Sequence, residues 1–105
     1  MKFLKSKNEL VIPPSARSDG NAKELIRAWA AHNGLHCSLS VDNWGESERI
    51  AWGVLLTDVA KHVANALYEQ KGWDKDETIR EIRRVFNAEL ESPTAEPSGG
   101  FHTNQ

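Results

Sequence analysis

An α+β domain is what this sequence predicts, for three reasons. The stretch from Ile50 to Lys71, wound at about 100° per residue, places Trp52, Leu55, Leu56, Val59, Val63, Ala66 and Leu67 on one broad face, with Asp58, Lys61, His62, Asn65 and Glu69 opposite. Asn33-Gly34, lying between two apolar-containing runs, is the strongest short-range hairpin signal. The apolar stripe Ile79, Ile82, Val85, Phe86 and Leu90 follows a second helical period. The architecture expected is an N-terminal β-hairpin packed on a long central helix and a shorter C-terminal helix. Residues 8–12 are available as a third short strand.

The N-terminal residues 1–7 carry three lysines and read as a flexible basic arm. Asn8 to Ile12 reads as extended, because Pro13-Pro14 stops a helix there and biases Ile12 toward β or polyproline geometry. Ser15 to Asn21 is a turn-rich connector.

Ala22 to Ala31 admits two readings. Its residues have helical propensity, with Asp19 as a cap and Gly34 as a terminator. Yet Leu35 to Ser40 alternates apolar and polar residues without a fault. With Asn33 and Gly34 as a two-residue loop, Ala30 faces Cys37 and Ala28 faces Leu39. Ile26, Ala28, Ala30, Leu35, Cys37 and Leu39 then share one face, while Arg27, Trp29, His36 and Ser38 share the other. That consistency favours a hairpin over about 24–40. A two-stranded hairpin is marginal alone and requires a helix, a third strand or another chain.

Val41 to Glu48 is a loop leading into the long helix, with Ser47 as its cap. Gly72 ends that helix, and Asp74 caps the next, with Glu77 three residues on. The short link makes the two helices an antiparallel or angled pair. From Ser92 the composition turns to Pro, Ser, Gly and Thr, so residues 92–105 are expected to be a disordered tail around a single domain at 8–91.

Composition excludes several classes. Thirteen Lys and Arg against fifteen Asp and Glu give a net charge of -2, which argues against a nucleic-acid partner. The lone Cys37 rules out an intramolecular disulfide and fits a reducing compartment. No run approaches the roughly 20 apolar residues of a membrane span, and the lysines at 2, 5 and 7 interrupt any signal-peptide core, so the expected location is cytoplasmic, with no membrane partner.

Chemistry-bearing residues are few. Asp58 and His62, four apart on a helix, can touch, and a carboxylate that orients an imidazole is half of a catalytic or metal-binding pair. The bland alternative is an exposed surface pair. His32, His36 and Cys37 cluster on the hairpin, but His36 and Cys37 point to opposite faces and no ligand spacing is recognisable, so no metal and no cofactor are expected. Arg80, Arg83 and Arg84 read as a solvated face, with Asp76 and Glu77 available to Arg80 and Glu81 to Arg84. Four tryptophans are many for 105 residues, and Trp29, with Arg27 and His36, lies away from the assigned core. Aromatics in that position mark an interface or a pocket, or second-face packing under a helix.

The run ELIRAWAAHNGLHCSL, then NW, then WGVLLTDVAKHVANAL, then IRRVFNAEL followed by SPT, resembles a family of small bacterial proteins of about a hundred residues. That family, commonest in alphaproteobacteria, is catalogued as a domain of unknown function. The resemblance covers roughly residues 8 to 94 and is most specific at Gly34 to Leu39 and from Trp52-Gly53 through His62-Val63-Ala64. It implies a bacterial cytoplasmic protein, with histidines matching His36 and His62 in the family, and no reaction.

Two functions are expected from these residues. The first is a non-enzymatic module acting by association, as a homodimer or on another protein, through the hairpin edge and the Trp29 face. The second is a small-molecule site, binding or catalytic, built from Trp29, His36, Asp58 and His62, with His62 as base or ligand and Asp58 orienting it. The second requires His36 and His62 to converge beside Trp29.

Overall fold

The hairpin forms as β1 (Ile26–Ala31) and β2 (Gly34–Leu39), paired antiparallel. The structure, a computed structural model, describes residues 8–93 and the backbone of 101–103; the basic arm at 1–7 lies outside the described residues. The hairpin loop is His32-Asn33, not Asn33-Gly34. His32 at φ 50° and Asn33 at φ 61° are both left-handed, as a type I′ turn demands, and Gly34 pairs with Ala31 to close the ladder. The register is therefore two residues from the expected one: Ala30 faces Leu35 and Ala28 faces Cys37. A slip of two preserves the faces, so the two sets of side chains stay grouped as expected.

The third strand is not residues 8–12, which have no strand pairing. It is β3 (Phe101–Thr103), parallel to β2, with Cys37 opposite Phe101 and Leu39 opposite Thr103, giving the sheet order β1-β2-β3. It falls within the stretch whose composition predicts no order. Of the rest of that stretch, residues 94–100 and 104–105 lie outside the described residues. Pro14 opens a one-turn helix, α1 (Pro14–Arg17), inside what reads as connector. Proline suits the first helical position, since its missing N–H would be unpaired there anyway.

A short 3-10 turn at Gly45–Ser47 leads into α2 (Glu48–Lys71). Gly72 ends it in the left-handed conformation at φ 70°, its N–H bonded to the Tyr68 carbonyl. The helix α3 (Lys75–Glu91) begins at Asp74, whose side chain accepts the Glu77 N–H at 2.9 Å. Lys71 lies over the Trp73 ring at 5.4 Å and Lys75 over Tyr68 at 4.9 Å, two cation–π contacts across the turn.

Burial follows the expected face of α2 only in part. Trp52, Leu55 and Leu67 are half-buried on it, but the fully covered position is Ala64, 2% exposed, with Ala60 half-buried beside it. Leu56, Val59 and Val63 instead remain 45%, 45% and 41% exposed. Small side chains let a neighbouring helix approach closely, and α3, half-buried at Thr78, Ile79 and Ile82, is the element near α2. Ile50 and Val54 are also exposed, so α2 carries apolar residues on nearly every side. Such a helix is built to be buried.

Cα atoms approach within 8 Å between β1 and β2, β2 and β3, α2 and α3, and α2 and the 3-10 turn, and between no other pair of the described elements. The sheet and the helix pair are thus joined through the connector at 40–48.

Candidate functional site

The connector is where side chains converge. Glu48, the first residue of α2, turns its carboxylate back onto the chain that precedes it. Its Oε2 accepts the Asp42 N–H at 2.9 Å, and its Oε1 accepts those of Asn43 and Trp44 at 2.8 and 3.0 Å. One turn further, the Trp52 indole N–H donates to Oε2 at 2.8 Å. Burial alone would push this carboxyl up, but the four N–H donors outweigh it and hold it below the ordinary carboxylate value. Asp42, at φ 68°, adopts the left-handed conformation within this arrangement. Ser47 sits at the cap position but forms no side-chain capping bond, and the Glu48 carboxylate serves the loop before the helix rather than the N–H groups of its first turn.

The connector is tied to the hairpin as well. Asn43 donates its side-chain N–H to the Ser40 carbonyl at 3.0 Å and accepts from Lys23 Nζ at 2.6 Å. Ser40 donates its backbone N–H to the Leu25 carbonyl at 2.9 Å and is fully buried, its hydroxyl without a hydrogen-bond partner among the described residues. These bonds make the connector a joint between the hairpin and α2.

On the hairpin, Trp29 stands directly across from His36 on the face that Arg27 and Ser38 share. All four are half-buried, and the face expected to be core is covered only in part, with Ile26, Cys37 and Leu39 half-buried and Ala28, Ala30 and Leu35 exposed. Arg27 donates to Glu9 at 2.6 Å and to Glu24 at 3.1 Å, which fastens residue 9 beside the sheet. His36 Nε2 lies 3.1 Å from the Ala31 carbonyl. A carbonyl only accepts, so Nε2 carries the hydrogen and the neutral ring keeps its free lone pair on Nδ1.

Asp58 and His62 are both exposed on α2, and no hydrogen bond or ion pair joins them among the described contacts. His62 lies on α2, whose Cα atoms do not come within 8 Å of those of β2, the strand that carries His36. Among the described residues, no group of three His, Cys, Asp or Glu is placed to hold a metal ion. The Arg84 guanidinium is bonded to Glu81, as expected of a salt-bridged face. No helix among the described residues is long and apolar enough to cross a membrane.

Glu48 is the convergent residue that the sequence reading missed. Its position four before Trp52 was the available signal, though i to i+4 spacing alone does not distinguish it from other helix pairs.

A family model for a domain of unknown function, DUF5076, matches residues 9–94. The chain belongs to the DUF5076 family. No curated protein matches. Among solved structures, the DUF5076 chain is similar to a protein of the photosynthetic bacterium Rhodopseudomonas palustrus CGA009, described provisionally as a pyruvate dehydrogenase. The identity is 27% and the TM-score 0.66, over 90% of this chain and 95% of that one. The family description names no reaction, and the description of that neighbour places no residue at a site here.

Proposed function

We propose that this DUF5076 protein acts by association, as a homodimer, and has no catalytic role. The observation that carries this reading is the poverty of its own core: among the described residues, Ala64 is the one buried apolar side chain. A domain of this length ordinarily buries well over half of the surface its unfolded chain exposes, and the large apolar side chains are the first to be covered. Here Leu56, Val59, Val63, Phe86 and Leu90 remain open on the two helices, and Leu35 on the hairpin. The apolar layers that would normally cover each other within a chain are left to be covered by a second one.

The hairpin edge and the Trp29 face are the contact that the sequence suggests. Among the described residues β1 lies at the edge of the sheet, paired with β2. Trp29 is half-buried, and the larger apolar exposure lies on the helices. A small-molecule site on Trp29, His36, Asp58 and His62 draws its support from the Trp29–His36 pair, which stand opposite each other on one face of the hairpin.

Sedimentation equilibrium of the full chain at micromolar concentration tests the proposal. The expected mass is twice the 11.8 kDa of one chain. A single species of 11.8 kDa across the concentration range would overturn it.

A further inference from the structure

We infer that the dimer is built on α2 itself, as an antiparallel helix pair whose two-fold axis passes level with Lys61. This inference rests on the association proposed above and names its surface and its occupant, a second copy of this chain. The exposed residues Leu56, Val59, Val63 and Ala66, preceded by Trp52, are spaced four, three, four and three. That alternation is the seam of a coiled coil, which lines up on one side of a helix to meet another helix. It is distinct from the stripe of Ala60, Ala64 and Leu67 whose burial accompanies the approach of α3.

The seam is its own complement when run antiparallel. With the axis level with Lys61, Leu56 meets the partner's Ala66, Val59 meets the partner's Val63, and Trp52 meets the partner's Gln70. Each layer then sets a large side chain against a smaller one, or two medium ones together, which fills space without voids. A parallel, in-register pair would instead stack Trp52 on Trp52 and leave Ala66 against Ala66, crowding one end and hollowing the other. A two-fold axis is also the commonest symmetry of soluble oligomers, because one patch then serves both partners. Opposed helix dipoles favour the antiparallel arrangement further.

The area is adequate. Leu56, Val59 and Val63 on α2, with Val85, Phe86 and Leu90 on α3, leave on the order of 500 Å² of apolar surface open per chain, large for a monomer and a substantial part of the roughly 800 Å² per partner that a standard interface covers. Val85, Phe86 and Leu90 continue the stripe that Ile79 and Ile82 begin, so α3 extends the apolar surface available beside the seam.

Disulfide trapping of the full chain tests the geometry. In a Cys37→Ser background, Val59→Cys and Val63→Cys are made as separate proteins, and Leu56→Cys with Ala66→Cys serves as a second pair. Cα atoms across such a seam fall within the 4.4–6.8 Å that a disulfide spans. Oxidised equimolar mixtures are expected to yield the mixed disulfide dimer, several-fold above the dimer formed by either variant alone. Efficient trapping of Val59→Cys alone, equal to the mixture, would mean a parallel pair and overturn the register. No trapping in either mixture, with parent and variants sedimenting as dimers, would overturn the α2 interface and leave association standing on another surface. A monomeric parent would take down both.

Discussion

The Trp52 indole N–H donates to the Glu48 carboxylate at 2.8 Å, one helical turn apart, while the same carboxylate holds the backbone N–H groups of Asp42, Asn43 and Trp44. Glu48 thereby ties the connector at 42–44 to the first turn of α2. Glu48 is a capping residue for the loop before the helix, in a position where its charge also favours the positive end of the helix dipole.

Glu48→Gln is expected to lower the thermal midpoint at neutral pH, because a neutral amide accepts these bonds less strongly and has one acceptor oxygen in place of two. The loss depends on pH in a defined direction. Glu48's folded-state carboxyl is held below its ordinary value, so its contribution is present above the unfolded value of about 4.3 and fades as pH falls through the lower folded value. The midpoints of the parent and Glu48→Gln proteins should converge in acid below that value. A gap that stays constant from pH 7 down to pH 3 would show that the Glu48 charge is not what anchors the connector.

The hairpin loop offers a test of register. His32 and Asn33 both occupy left-handed backbone, where Asn-Gly is the preferred pair. His32→Asn combined with Asn33→Gly should therefore raise stability by about 0.5–1 kcal/mol, measured by urea unfolding, through relief of the His32 backbone and a better turn. Loss of stability would point to Asn33-Gly34 as the loop.

Gly72 adopts φ 70°, and a Cβ there would meet nothing within 4 Å. Its substitution therefore costs backbone conformation alone. Gly72→Ala should destabilise by about 1–2 kcal/mol, the cost of a left-handed residue that carries a Cβ. Gly72→Asn should cost less, since asparagine tolerates that region. Equal losses for the two would mean that something other than backbone conformation is lost at this cap.

What the sequence disclosed and what it withheld divide along physical lines. Gly72 and Asp74 were legible because a left-handed terminator and a side-chain cap act within four residues. The two faces of the hairpin were legible because alternation of period two survives any shift of two. For the same reason the register was not, and the strong Asn33-Gly34 preference pointed one residue past the actual loop. The identity of the residues covered on α2 also escaped, because a helix apolar on nearly every side does not say which stripe meets α3. Small size at Ala60 and Ala64, which permits close approach, proved more decisive there than the larger side chains of Leu56 and Val59. The third strand at 101–103 could not be read from composition, since its pairing with β2 is made across more than sixty residues of chain. Of the candidate site, that Trp29 and His36 share one face was legible; that they stand directly opposite each other was not, because it depends on the register.

An isotope-filtered NOE experiment on a mixture of carbon-13-labelled and unlabelled chains asks whether two copies cover each other. The account predicts intermolecular signals from the Leu56 methyls to the partner's Ala66 methyl and between the methyls of Val59 and the partner's Val63. A spectrum without any intermolecular signal, from a protein whose mass is that of one chain, would contradict it.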